Sequence, residues 1–79
     1  MSQQADLGHL QTAQQTVYRM RDQYKGYSLP WWGLHVLWEA HRVAWYAVRG
    51  DWSDVLAKLE LLESAIADLR EVTNHRLSQ

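Results

Sequence analysis

All five tryptophans of the chain, Trp31, Trp32, Trp38, Trp45 and Trp52, lie between Pro30 and Trp52. Read at about 100° per residue, this segment is a helix that is apolar or small around most of its circumference. Leu34, Leu37, Trp38, Trp45 and Val48 lie on one side, and Trp32, Val36 and Val43 on the opposite side. Gly33, Ala40, Ala44 and Ala47 lie between them and let another backbone come close. A helix greasy nearly all round is covered on several sides. Two neighbouring helices in a short chain cannot easily do that alone, so the segment predicts a further surface against it.

Size sharpens the point. The chain has 79 residues and no cysteine. A core of this size supplies only about 3–5 kcal/mol, and folds this small usually need a disulfide, a metal or oligomerisation as a staple. Without cysteines or a dense ligand cluster, self-association is the expected staple. The predicted homodimer interface is Gly33, Leu37, Trp38, Ala40, His41, Ala44, Trp45 and Val48.

The remaining punctuation gives an all-α chain of three helices in one domain over residues 1–79, an up-down-up antiparallel bundle completed as a homodimer. The first helix is expected from about Ala5 to Lys25, with Leu10, Ala13, Val17, Met20 and Tyr24 as its apolar stripe. Gly26 suits a C-terminal cap and Ser28-Leu29-Pro30 a helix start, giving a second helix over about 30–49. Gly50-Asp51 forms a tight turn, with Asp51 placed to cap a third helix from about Trp52 to Leu77. Trp52, Val55, Leu59, Leu62, Ile66 and Leu69 form that helix's heptad seam.

Net charge is −1, without the basic footprint of sequence-independent nucleic-acid binding. The charge is uneven: residues 1–50 sum to +2 and residues 51–79 to −3. An acidic helical face can steer a basic partner. The N-terminal residues carry no basic stretch followed by an apolar run, and His35, Glu39, His41, Arg42 and Arg49 interrupt the greasiest segment. A cytoplasmic protein with no secretory leader and no membrane span is expected.

The second helix collects Arg42, His35, Tyr46, Glu39 and Arg49 on one narrow arc, whose plainest reading is a solvent-facing polar strip. His35, Glu39 and His41 together read His-x-x-x-Glu-x-His, which matches neither zincin nor di-iron spacing. They are the residues of an alternative reading as a ligand- or metal-binding bundle. His41 lies in the apolar arc and reads first as a core or interface histidine with partnered ring nitrogens; the alternative is a pH-sensitive element, since burial would disfavour its charged form. Trp31 and Trp32 are adjacent and point about 100° apart, so one of them is expected to reach a second surface. There is no cysteine nucleophile, serine elbow or phosphate loop, and Arg19, Arg21, Arg42 and Arg49 would bind an anionic substrate only if brought together. Trp31-Trp32-Gly33 matches the Trp-x-Gly tripeptide of a small secreted helical-hairpin family over three residues only, and is assigned to chance. The sequence therefore points to a non-enzymatic interaction module without cofactor or metal. It is expected to bind itself and a partner protein through Trp31 and Trp32 or through Glu60, Glu63 and Glu71, and to act by occluding its target.

Overall fold

The computed structural model describes residues 3–79. Three helices account for nearly all of them: α1 (Gln3–Asp22), α2 (Leu29–Arg49) and α3 (Trp52–Leu77). Local chemistry sets their ends. Ser28 takes an extended conformation, and its Oγ accepts a bond from the Trp31 N–H at 3.4 Å, with Pro30 in the first turn of α2. Gly50, at φ 77°, ends α2 in the left-handed conformation that glycine adopts without steric cost, and its N–H bonds to the Ala47 carbonyl.

Two expected turn roles are corrected. α1 ends at Asp22 instead of continuing to Lys25, and Tyr27, not Gly26, adopts positive φ (65°) in the connection. Asp51 precedes α3 without a side-chain capping bond, because its carboxylate pairs with Arg49 at 3.3 Å.

The helices run antiparallel in order. The Gln3 side-chain amide donates to the Val48 carbonyl at 2.8 Å, while Arg21 at the other end of α1 meets His35 near the start of α2. Lys58 lies 5.6 Å from the Tyr46 ring at the near end of the α2–α3 pair. The central element is α2, which packs against both α1 and α3, while α1 and α3 make no close approach to each other among the described residues. The arrangement is a flattened layer of 49 × 26 × 16 Å, open on both faces.

The core is correspondingly thin. Among the described residues, Val17 and Ala65 are the buried hydrophobics, and no large side chain is fully buried. The stripe assigned to α1 is also corrected: Met20 and Tyr24 are exposed, and Arg21 occupies the buried position one turn beyond Val17. On α3, Trp52 and Ile66 of the expected seam are exposed, while Ala65 takes the buried place. No helix of the described residues is long and apolar enough to cross a membrane.

Candidate functional site: a ring cluster, a buried acid and two open faces

Trp31, His35 and Trp38 occur at i, i+4 and i+7, so α2 sets their rings along one face. The imidazole lies near-parallel between the two indoles, 4.9 Å from Trp31 and 5.8 Å from Trp38 by ring centroids. Arg21 closes the stack from α1. Only 8% exposed, its guanidinium lies 4.4 Å from the Tyr18 ring, 5.1 Å from Trp31 and 5.2 Å from Trp38. Its Nη1 donates to His35 Nδ1 at 3.0 Å, and its Nε to Asp22 at 3.1 Å. A guanidinium only donates, so Nδ1 accepts and the imidazole is neutral with its proton on Nε2. Burial is the largest cause holding the His35 pKa below its usual value; Glu39 and Asp68 pull it upward, whereas Arg21 and Arg42 push it further down.

Trp31 and Trp32 do not divide between two separate surfaces. Their rings meet edge-on at 5.1 Å, and Tyr27 lies against both, 4.7 Å from Trp31 and 5.5 Å from Trp32. Both indoles are half-buried, while Tyr27 itself is 70% exposed. The left-handed backbone of Tyr27 thus folds a ring over the α1–α2 turn.

The polar arc of α2 is only in part the solvent-facing strip expected for it: Arg49 is exposed, His35, Arg42 and Tyr46 are half-buried, and Glu39 is buried. Trp38 meets Tyr18 of α1 at 6.0 Å and Tyr46 meets Lys58 of α3, so Arg42 and His35 between them on the wheel, and Glu39 next to Tyr46, lie toward the crease flanked by both helices. Glu39 is 4% exposed there. One carboxylate oxygen pairs with Arg42 at 3.4 Å, and the other is buried without a hydrogen-bond partner. Arg42 in turn lies 4.7 Å over the Trp38 ring.

His35, Glu39 and His41 do not gather into a ligand set. His35 is held by Arg21, Glu39 by Arg42, and His41 lies half-buried on another face; no cluster of three or more His, Asp or Glu residues able to hold a metal occurs among the described residues. The arginines do not converge either. Arg21 enters the rings, Arg42 meets Glu39, Arg49 meets Asp51, and Arg19 donates to the Gln15 carbonyl.

The residues expected at an interface divide between two environments. Trp38 packs on Tyr18, and Trp45 lines a groove of α1 and α2 with Gln11, Gln14, Arg42 and Tyr46. Gly33, Leu37 and Val48 are exposed, and Ala40, His41 and Ala44 are half-buried on the outer face of α2. Glu60, Glu63 and Glu71 are all exposed along α3. Trp52, assigned to the core from its heptad position, is the most exposed tryptophan at 83%, followed one turn later by Leu56 at 67%. The signal that could have found it is positional: Trp52 is the first residue of α3, where the helix has only just left the turn. Comparison with known protein families, with curated proteins and with solved structures yields no match.

Proposed function

We propose that this protein is a small non-enzymatic interaction module that binds a partner protein along the outer edge of α3 and occludes the surface it covers. The carrying observation is an exposed apolar anchor, Trp52 with Leu56, continuing on the same helix into exposed Glu60 and Glu63. Tryptophan brings a large rigid contact area at low entropic cost and is enriched at binding hot spots. The flanking carboxylates and the −3 balance of residues 51–79 fit a basic partner with an apolar recess for the indole. Trp31 and Trp32 contribute less in this reading, because their rings are engaged by Tyr27, His35 and Arg21.

The test is capture of partner proteins on the immobilised chain, followed by titration of a purified candidate against wild type, Trp52→Ala, and Glu60→Gln with Glu63→Gln. The expected result is a loss of about thirtyfold or more in affinity for Trp52→Ala, equivalent to a hot spot of about 2 kcal/mol. The double Gln variant should weaken binding less and reduce its salt dependence. A partner bound equally well by all three chains would remove the proposal. Because Trp52 is so exposed, its replacement should leave stability within about 0.5 kcal/mol.

A further inference from the structure

The outer face of α2 lies away from both the ring cluster and the α3 edge. Gly33, Leu37, Ala40, Ala44 and Val48 fall on one stripe of that helix. None is charged. Leu37 is 44% exposed, Val48 is exposed about three turns further along, and a Cβ added at Gly33 would meet nothing within 4 Å. Ala40 and Ala44 at its centre are half-buried, and Gly33, Leu37 and Val48 are exposed.

The surface area measures what is missing. A folded monomer of 9.3 kDa should expose about 5,000 Å². This chain exposes 5662 Å², roughly 700 Å² more than that expectation. One partner in a stable interface of standard size buries about 800 Å². The excess is comparable to what one such interface would cover, and it is shared between the α2 stripe and the exposed apolar side chains of α3.

We infer that a second copy of this chain covers the outer face of α2, in a two-fold dimer whose α2 helices cross near Ala40 and Ala44. In such an interface each residue of the stripe meets the same stripe of its partner, so a patch that works must be compatible with itself. A stripe without Asp, Glu, Lys or Arg meets that condition, since no like charges are brought together. The net charge of −1 adds little long-range repulsion between copies. The small side chains at Gly33, Ala40 and Ala44 allow close backbone approach, while Leu37 and Val48 supply apolar contact. The dimer also provides the covering surface that a chain with two buried hydrophobics among its described residues and no cysteine lacks.

Two measurements on the full chain test this. The first is mass by light scattering after size exclusion across a dilution series, for wild type and Leu37→Glu. Wild type should run at twice the 9.3 kDa chain mass, and Leu37→Glu should dissociate at least about tenfold more readily. The second uses the absence of native cysteine: Ala40→Cys and Glu60→Cys each carry a single thiol and are oxidised under the same conditions. Ala40→Cys should form a disulfide-linked dimer in high yield and Glu60→Cys should not. This arm keeps the inference testable even where Leu37→Glu loses its helical structure. A wild-type monomer at every concentration, an assembly larger than a dimer, or a dimer that links through Glu60→Cys and not Ala40→Cys would each overturn the inference. Failure here is separable from failure of the α3 reading: a monomer that still binds a partner through Trp52 overturns only the dimer, and a dimer with no Trp52-dependent partner overturns only the proposed function.

Discussion

The two seams of α2 are built from different chemistry. Against α1 it uses rings and a buried cation: Tyr18, Trp31, His35 and Trp38 around Arg21. On the α3 side the packing is mostly aliphatic, with buried Ala65 among half-buried Val55, Leu59, Leu62, Leu69 and Val72, and Lys58 against the Tyr46 ring of α2. Stacked rings and a directed hydrogen bond fix rotation and register, because they are favourable over a narrow range of geometry. Aliphatic contact is proportional to area and tolerates sliding. The first seam therefore holds α1 in one position through a few strong partners, and the second holds α3 through many weak ones.

The comparison breaks most visibly at Arg21. Arg21→Met keeps an apolar stem but removes the cation over three rings and the donor to His35. The expected loss is about 2–3 kcal/mol, combining a charged hydrogen bond with partly desolvated cation–π contacts. In a fold of this size that is most of the available stability. Urea unfolding at fixed protein concentration gives the magnitude, and amide exchange should show α1 losing protection before α3. Uniform loss in both helices would contradict a division of labour between the seams.

Ala65→Leu probes the aliphatic seam. Ala65 is 3% exposed, so three extra heavy atoms have no room without moving α3. The expected cost is about 1–3 kcal/mol, at the low end if α3 slides to accommodate them. Thermal melts read the cost, and exchange protection in α1 should be unchanged.

Glu39 lies between the seams and is expected to change stability in the other direction. Its buried carboxylate has one oxygen without a partner, and its pair with Arg42 is long at 3.4 Å. Removing a poorly satisfied buried charge for an apolar side chain of similar volume is often neutral or stabilising. Arg42 would not be stranded, since it is partly exposed and still lies over Trp38. Glu39→Met is therefore predicted to raise stability by about 1 kcal/mol, measured as a shift of the urea midpoint with unchanged slope. A loss of stability would mean that the carboxylate is better satisfied than its geometry indicates.

These positions also separate what the sequence made legible from what it did not. Three helices, the Ser28-Leu29-Pro30 start and the Gly50 stop could be read because each depends on local backbone chemistry. The burial of Glu39 could not, because a wheel of α2 alone does not say where α1 and α3 sit around it. Arg21 was obscured by residue type: it lies one turn beyond Val17 on the buried stripe, but a charged residue is ordinarily assigned to the surface. Its partners were spaced regularly, with Trp31, His35 and Trp38 one turn apart, and a cation facing aligned aromatics is the pattern that would have revealed it. Trp52 erred the other way, since heptad spacing continues to the first residue of a helix whether or not anything packs there.

The smallest expected effect is a dependence on pH, which sharpens the account of the ring seam. His35 accepts from Arg21 in the folded state, so a proton on Nδ1 would bring two cations to 3.0 Å and remove the hydrogen bond. Burial first, with Arg21 and Arg42 adding to it, lowers its folded pKa against the opposing pull of Glu39 and Asp68. The unfolded ring takes up its proton near the ordinary value of about 6.5. Between that value and the lower folded pKa, the unfolded chain binds more protons than the folded one, so stability falls as pH is lowered through this window. The contribution is complete above the unfolded value and has been lost below the folded one. Melting temperature followed downward from pH 7.5 should therefore decline, and His35→Gln should remove part of that decline while the other three histidines remain. The effect is small because the ring is only half-buried. If wild type and His35→Gln lost stability in parallel across the window, the neutral imidazole would not be what the Arg21 contact requires, and the ring seam would rest on stacking alone.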